Sequence, residues 1–148
     1  MYVVNETKFD NSVLNPLIQF VISHSPFVSS FAWLHMVEGD GPAGDIEVTG
    51  GLAEANVPFP SDPRVPHRVT LWLNFESGKY PYKACHRKRA GTAVIRTWDE
   101  EFVLVLAHEL RHIYQFVYGS PRHYEVDAER HAMSVLNFYR NRNSQRVA

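Results

Sequence analysis

Residues 108–112 read His-Glu-Leu-Arg-His inside a stretch that is apolar almost all round, with Val103-Leu-Val-Leu-Ala before it and Ile113-Tyr-Gln-Phe-Val after it. A run of this kind, leaving through Gly119-Ser-Pro, is a helix buried in a domain interior rather than one lying on its surface. Two histidines and a glutamate taken out of water need partners. In one reading the imidazoles are hydrogen-bonded core groups and Glu109 reaches solvent. In the other, the spacing has a purpose. At about 100° per residue, His108 and His112 stand one turn apart on the same face and can bind one ion through neutral ring nitrogens. Glu109 projects beside them, within reach of a water on that ion.

The 148 residues fit a single domain, 1–148, with room for a real core and too little chain for two. The formal net charge of −1 gives no general pull toward nucleic acid or membrane. The lone cysteine, Cys85, excludes an internal disulfide framework and a thiolate zinc site, so any metal is held by histidine and carboxylate. No signal-peptide pattern opens the chain and no apolar run approaches a bilayer span, so a cytoplasmic location is expected. Without a secretory route, the Asn5-Glu-Thr7 sequon carries no weight.

Apolar spacing over Val13–His24 predicts a first helix, capped by Asn11 or Ser12, with Pro16 in its first turn. Phe31–Val37 is rich in strand formers, and Asp45–Thr49 is its expected hairpin partner. Pro58–Pro66 is an extended loop. Val69, Leu71, Leu73 and Phe75 alternate along one face of a strand from His67. Thr92–Thr97 is a further strand. Thr97-Trp-Asp-Glu100 has the form of a capping box, which starts the His-Glu helix near Trp98. A last helix spans Tyr124–Arg140, leaving 1–10 and 141–148 as polar termini. The order implies an α+β domain with helices on one side of a small mixed or antiparallel sheet.

A catalytic zinc site commonly takes a third protein ligand and keeps a position open. On the last helix, Glu125, Ala128, Glu129, Ala132, Val135, Leu136 and Tyr139 share one stripe, which faces the core and turns both glutamates inward. Asp127 and Arg130 fall on the solvated side, and His131 lies off the stripe's edge. Glu125 as ligand and Glu129 as acceptor from a ligand imidazole satisfy both carboxylates. Against this stand a dipole-favoured Glu125 with a surface-paired Glu129, and His123 as a loop-borne ligand.

H-E-L-R-H on one helix and, after a short turn, Glu125-Val-Asp-Ala-Glu-Arg-His-Ala on a second resemble a minimal gluzincin-type zinc metallopeptidase over residues 92–140. Small peptidases of the ImmA/IrrE type have a similar second-helix pattern, here Glu125, Ala128 and Ala132. Glu129 departs from the commoner Asp of thermolysin-like enzymes. The resemblance implies a zincin-like fold, Zn2+ held by His108, His112 and Glu125, and Thr92–Thr97 as the edge strand on which zincins lay an extended substrate. Gln115 and Tyr118 exclude the metzincin branch, which needs Gly and His there. Ala84-Cys-His-Arg does not match the peptide-deformylase motif. SprT-like proteases use a third histidine, for which His123 or His131 would serve.

The chemistry that follows is hydrolysis of a peptide or protein substrate, with Glu109 as general base. His123, Tyr124, Tyr118 and His131 are candidate oxyanion donors. Two other classes stay open. Lys83, His86, Arg87, Lys88, Arg89 and Arg96, flanked by Tyr80, Tyr82 and Trp98, could bind nucleic acid beside a SprT-like protease, although a solvated basic loop explains them more simply. A binding domain could also keep a metal for structure alone. Glu109 speaks against that, because a structural site has no use for a base.

Overall fold

Strand formers at the very start of the chain already enter the sheet in the computed structural model, which describes residues 1–26, 31–39, 44–48, 67–73, 80–84, 91–119 and 121–147. Tyr2–Glu6 (β1) pairs parallel to Phe31–Glu38 (β2), and the helix Asn11–Ser23 (α1) supplies the crossover that a parallel pair requires. On its other edge β2 pairs parallel to His67–Leu73 (β4), with Gly44–Val48 (β3) antiparallel beyond, so the order is β1-β2-β4-β3. Tyr82–Ala84 (β5) and Ala93–Ile95 (β6) form a separate antiparallel ribbon. Two long helices follow, Trp98–Tyr118 (α2) and Tyr124–Val147 (α3). The fold is mixed α+β.

Four local expectations are corrected. Residues 1–10 are not a polar tail, because Val3 and Asn5 alternate with exposed neighbours in register with β2, and the Tyr2 ring stacks on Trp33 at 5.7 Å. The 31–38 strand makes no hairpin with β3, since β1 and β4 occupy both its edges. Asp10, not Asn11 or Ser12, caps α1 by accepting from the Ser12 amide at 2.8 Å. Pro16 therefore falls in the second turn, on the exposed face, where the Ser12 carbonyl it leaves unbonded can meet water. Finally, α3 runs on to Val147, because no Gly or Pro between 124 and 147 interrupts a helix already propagating.

The core lies between the sheet and the helices, where Leu34, Met36, Val69 and Leu71 meet Leu14 and Ile18 of α1 and Phe102 and Leu106 of α2, all at most 1% exposed. α2 begins as expected, though its Glu100 reaches back to the Arg96 amide rather than to Thr97. It ends at Gly119, whose φ of 108° suits a residue without Cβ and whose N–H bonds the Gln115 carbonyl. α3 then returns antiparallel along α2: Arg111 meets Asp127 near the turn, while Arg140 meets Glu100 and Tyr139 meets Asp99 at the far end. Among the described residues, no helix is long and apolar enough to cross a membrane.

Candidate metal centre

The α2–α3 hairpin brings three of the expected residues together. α2 presents His108 and His112 one turn apart, and the first turn of α3 sets Glu125 opposite them. The two Nε2 atoms are 2.9 Å apart; Glu125 Oε1 is 3.1 Å from His112 Nε2, and Oε2 is 3.4 Å from His108 Nε2. Bonds of about 2.0–2.1 Å at tetrahedral angles separate donor atoms by roughly 3.3 Å. The imidazole pair, and the contact each imidazole makes with an oxygen of Glu125, thus lie near the spacing a tetrahedral zinc needs. His112 is buried, while His108 and Glu125 are part-exposed, which leaves the site accessible from one side. Among the described residues, this is the group of His, Cys, Asp and Glu side chains that converges in a way suited to a metal.

A hydrogen-bonded support lies behind His112. Its Nδ1–H donates to Gln115 Oε1 at 2.8 Å, and the Gln115 amide nitrogen donates to the Tyr124 carbonyl and to Asp127 Oδ2, each at 2.8 Å. Asp127 is also held by Arg111, whose guanidinium keeps the carboxyl below its ordinary range; the carboxylate in turn raises the Arg111 pKa. On a helical wheel Asp127 falls on the solvated side. That placement suits a helix packed on one core alone, but the start of α3 lies beside α2, where Arg111 pairs with Asp127. Gln115 is marked by the sequence only as a departure from the metzincin pattern, with no role of its own. The available signal is a lone amide in an apolar run, three residues past His112.

The other candidates are placed as follows. Glu109 is buried on α2 beside His108. Glu129 stands one turn along α3 from Glu125, with its Oε2 buried; the acceptor for His112 is Gln115. His123 and Tyr124 are exposed next to Glu125, and the Tyr124 ring is 6.0 Å from that of His112. Tyr118 is exposed at the end of α2. His131 turns away from the centre, its Nε2 lying 3.1 Å from Ser25 Oγ at the end of α1; burial lowers its pKa. Lys83 and Arg96 are exposed, whereas His86, Arg87, Lys88 and Arg89 lie outside the described residues, as do Cys85 and the Pro58–Pro66 loop. β6 belongs to the small ribbon, and its Val94 carbonyl accepts from Arg140; the main-sheet edge that packs beside α2 is β3. No family profile, curated protein or solved structure matches this chain.

Proposed function

We propose that this chain is a zinc-dependent hydrolase of zincin-like build, a peptidase, with His108, His112 and Glu125 as metal ligands and Glu109 as general base. The observation that carries the reading is the convergence of two imidazole nitrogens, 2.9 Å apart, on a carboxylate whose two oxygens lie 3.1 and 3.4 Å from them, drawn from an H-E-x-x-H helix and the helix after it. Zinc bound there supplies Lewis acidity, polarising a carbonyl and bringing the pKa of a water toward about 7. Glu109 accepts the proton of the attacking water on its carboxylate and delivers it to the leaving amine nitrogen. Tyr124 and His123, exposed next to Glu125, offer donors to the oxyanion. Of the strands beside α2, β4 is interior to the sheet and the Val94 carbonyl of β6 is already engaged by Arg140, so the edge strand β3 suits an extended peptide best.

The test is Glu109→Gln, which replaces an ionisable carboxylate by an amide of nearly equal size. Folding and zinc content should survive, and cleavage of a mixed peptide library, read by mass spectrometry, should fall by roughly 10²–10⁴-fold. Cleavage undiminished in the variant would refute the role of Glu109. A zinc-loaded wild type that cuts nothing would instead favour a metal-containing binding domain.

A further inference from the structure

We infer that Gln115 is a positioning residue of the metal centre: it locks His112 in the tautomer that bares Nε2, and it ties that ring to the backbone carrying Glu125. The inference rests on the metal reading above and adds a residue outside the ligand set.

A side-chain amide can be built either way round, so its orientation must come from its neighbours. Here they leave one choice. One end of Gln115 faces the Tyr124 carbonyl oxygen and Asp127 Oδ2. The first of these is an acceptor by nature. The second already accepts from Arg111 Nε at 2.7 Å. That end is therefore the NH2 group. The other end is Oε1, 2.8 Å from His112 Nδ1, and an amide oxygen only accepts. Nδ1 must carry the hydrogen. A neutral imidazole with its hydrogen on Nδ1 keeps its lone pair on Nε2, the atom facing His108 Nε2 and Glu125 Oε1. Gln115 thus aims a lone pair into a space already faced by a carboxylate oxygen and a second imidazole nitrogen, which is the arrangement a cation requires.

The same amide sets the helix register. Tyr124 immediately precedes Glu125, so the bond from Gln115 to the Tyr124 carbonyl fixes the backbone next to the third ligand. Sliding α3 along α2 would break this bond and carry Glu125 away from His112 together. At 1% exposure, Gln115 has no bulk water to replace a lost partner, so the link is specific to this side chain.

The experiment combines two measurements. Imidazole ¹⁵N–¹H correlation spectra of metal-free wild type, recorded at alkaline pH with His112→Ala for assignment, should show His112 with its hydrogen on Nδ1. Zinc affinity by chelator competition should fall about 10–100-fold in Gln115→Met, which keeps the volume and loses both bonds. Gln115→Glu, which keeps the acceptor and loses the donor, should retain the tautomer and lie between the two in affinity. His112 found with its hydrogen on Nε2 in wild type overturns the inference, and that result needs no variant to fold. Equal affinity in wild type and Gln115→Met overturns it while leaving the hydrolase reading intact. A wild type that binds no zinc at all removes the hydrolase reading itself.

Discussion

Arg111 grips the Asp127 carboxylate with two nitrogens, Nε to Oδ2 at 2.7 Å and Nη2 to Oδ1 at 3.0 Å, and so bolts α2 to α3 beside both His112 and Glu125. Both side chains are about a quarter exposed, so solvent screens the pair and its coupling should be on the order of 1 kcal/mol. A double-mutant cycle on unfolding, with Arg111→Ala and Asp127→Ala, measures this directly. Each single variant should also weaken zinc binding, and the double variant should lose little more. A coupling indistinguishable from zero would show that the clamp does not hold the helices in register.

Zinc should be present at about one ion per chain after mild purification. Glu125→Ala and His108→Ala should each lose it, whereas His123→Ala and His131→Ala should keep it, because His131 is turned to Ser25 and His123 lies outside the converging trio. Elemental analysis of the four variants decides the matter. Metal retained in Glu125→Ala and lost in His123→Ala would move the third ligand to the loop histidine.

Acid should cancel the contribution of Arg140. Burial pushes the Glu100 carboxyl up, yet the hydrogen bonds from Arg140 and the Arg96 amide outweigh it and hold the group below its ordinary 4.5. A folded-state pKa below the unfolded one gives stability that is present above the unfolded value and lost as pH falls through the folded one. The stability gap between wild type and Arg140→Met, from urea melts, should therefore be constant at neutral pH and shrink below about pH 4.5. A gap that stays constant into acid would mean that Arg140 acts through packing alone.

Alkali probes the same end of the helix pair through Tyr139. Burial and the hydrogen bond to Asp99 push Tyr139 up to about 12, and burial with the bond to Glu101 raises Tyr80 as well. A raised pKa means stability that is complete below the ordinary tyrosine value and lost as pH rises through the folded one. In a phenolate absorbance titration, Tyr80 and Tyr139 should each ionise above the ordinary tyrosine value of 10.0. Glu101→Gln should bring Tyr80 forward while leaving zinc content unchanged. It should also destabilise by about 1–3 kcal/mol, since it disturbs two tyrosine hydrogen bonds to a buried group.

α2 was legible because its evidence is local: a long apolar run, an acidic first turn, a glycine exit and two histidines at helical spacing. Glu125 was legible from the stripe it shares with Ala128 and Ala132. β1 was not, because five residues that alternate only between half-buried and exposed carry little signal. Their partner, β2, lies beyond an entire helix. β3 was read as a strand with the wrong neighbour, since pairing depends on which edges remain after β1 and β4 have docked on β2. Gln115 and Asp127 were missed for a related reason. Hydrophobic periodicity reports where the core is, and both residues answer instead to polar groups on the facing helix.

The antiparallel α2–α3 hairpin also bears on the order in which the molecule assembles. His108, His112 and Glu125 meet across one short turn, whereas the sheet must gather β1, β2 and β4 from distant parts of the chain. Loop closure favours nearby contacts, so the metal cage can form before the sheet does. Under the proposed metal reading, zinc would act on the folding nucleus as well as on the finished domain, and it should accelerate refolding from urea rather than only slow unfolding. Stopped-flow refolding with and without zinc, repeated with Glu125→Ala, separates these effects. If the ion changes only the unfolding limb, the hairpin closes late and the sheet leads.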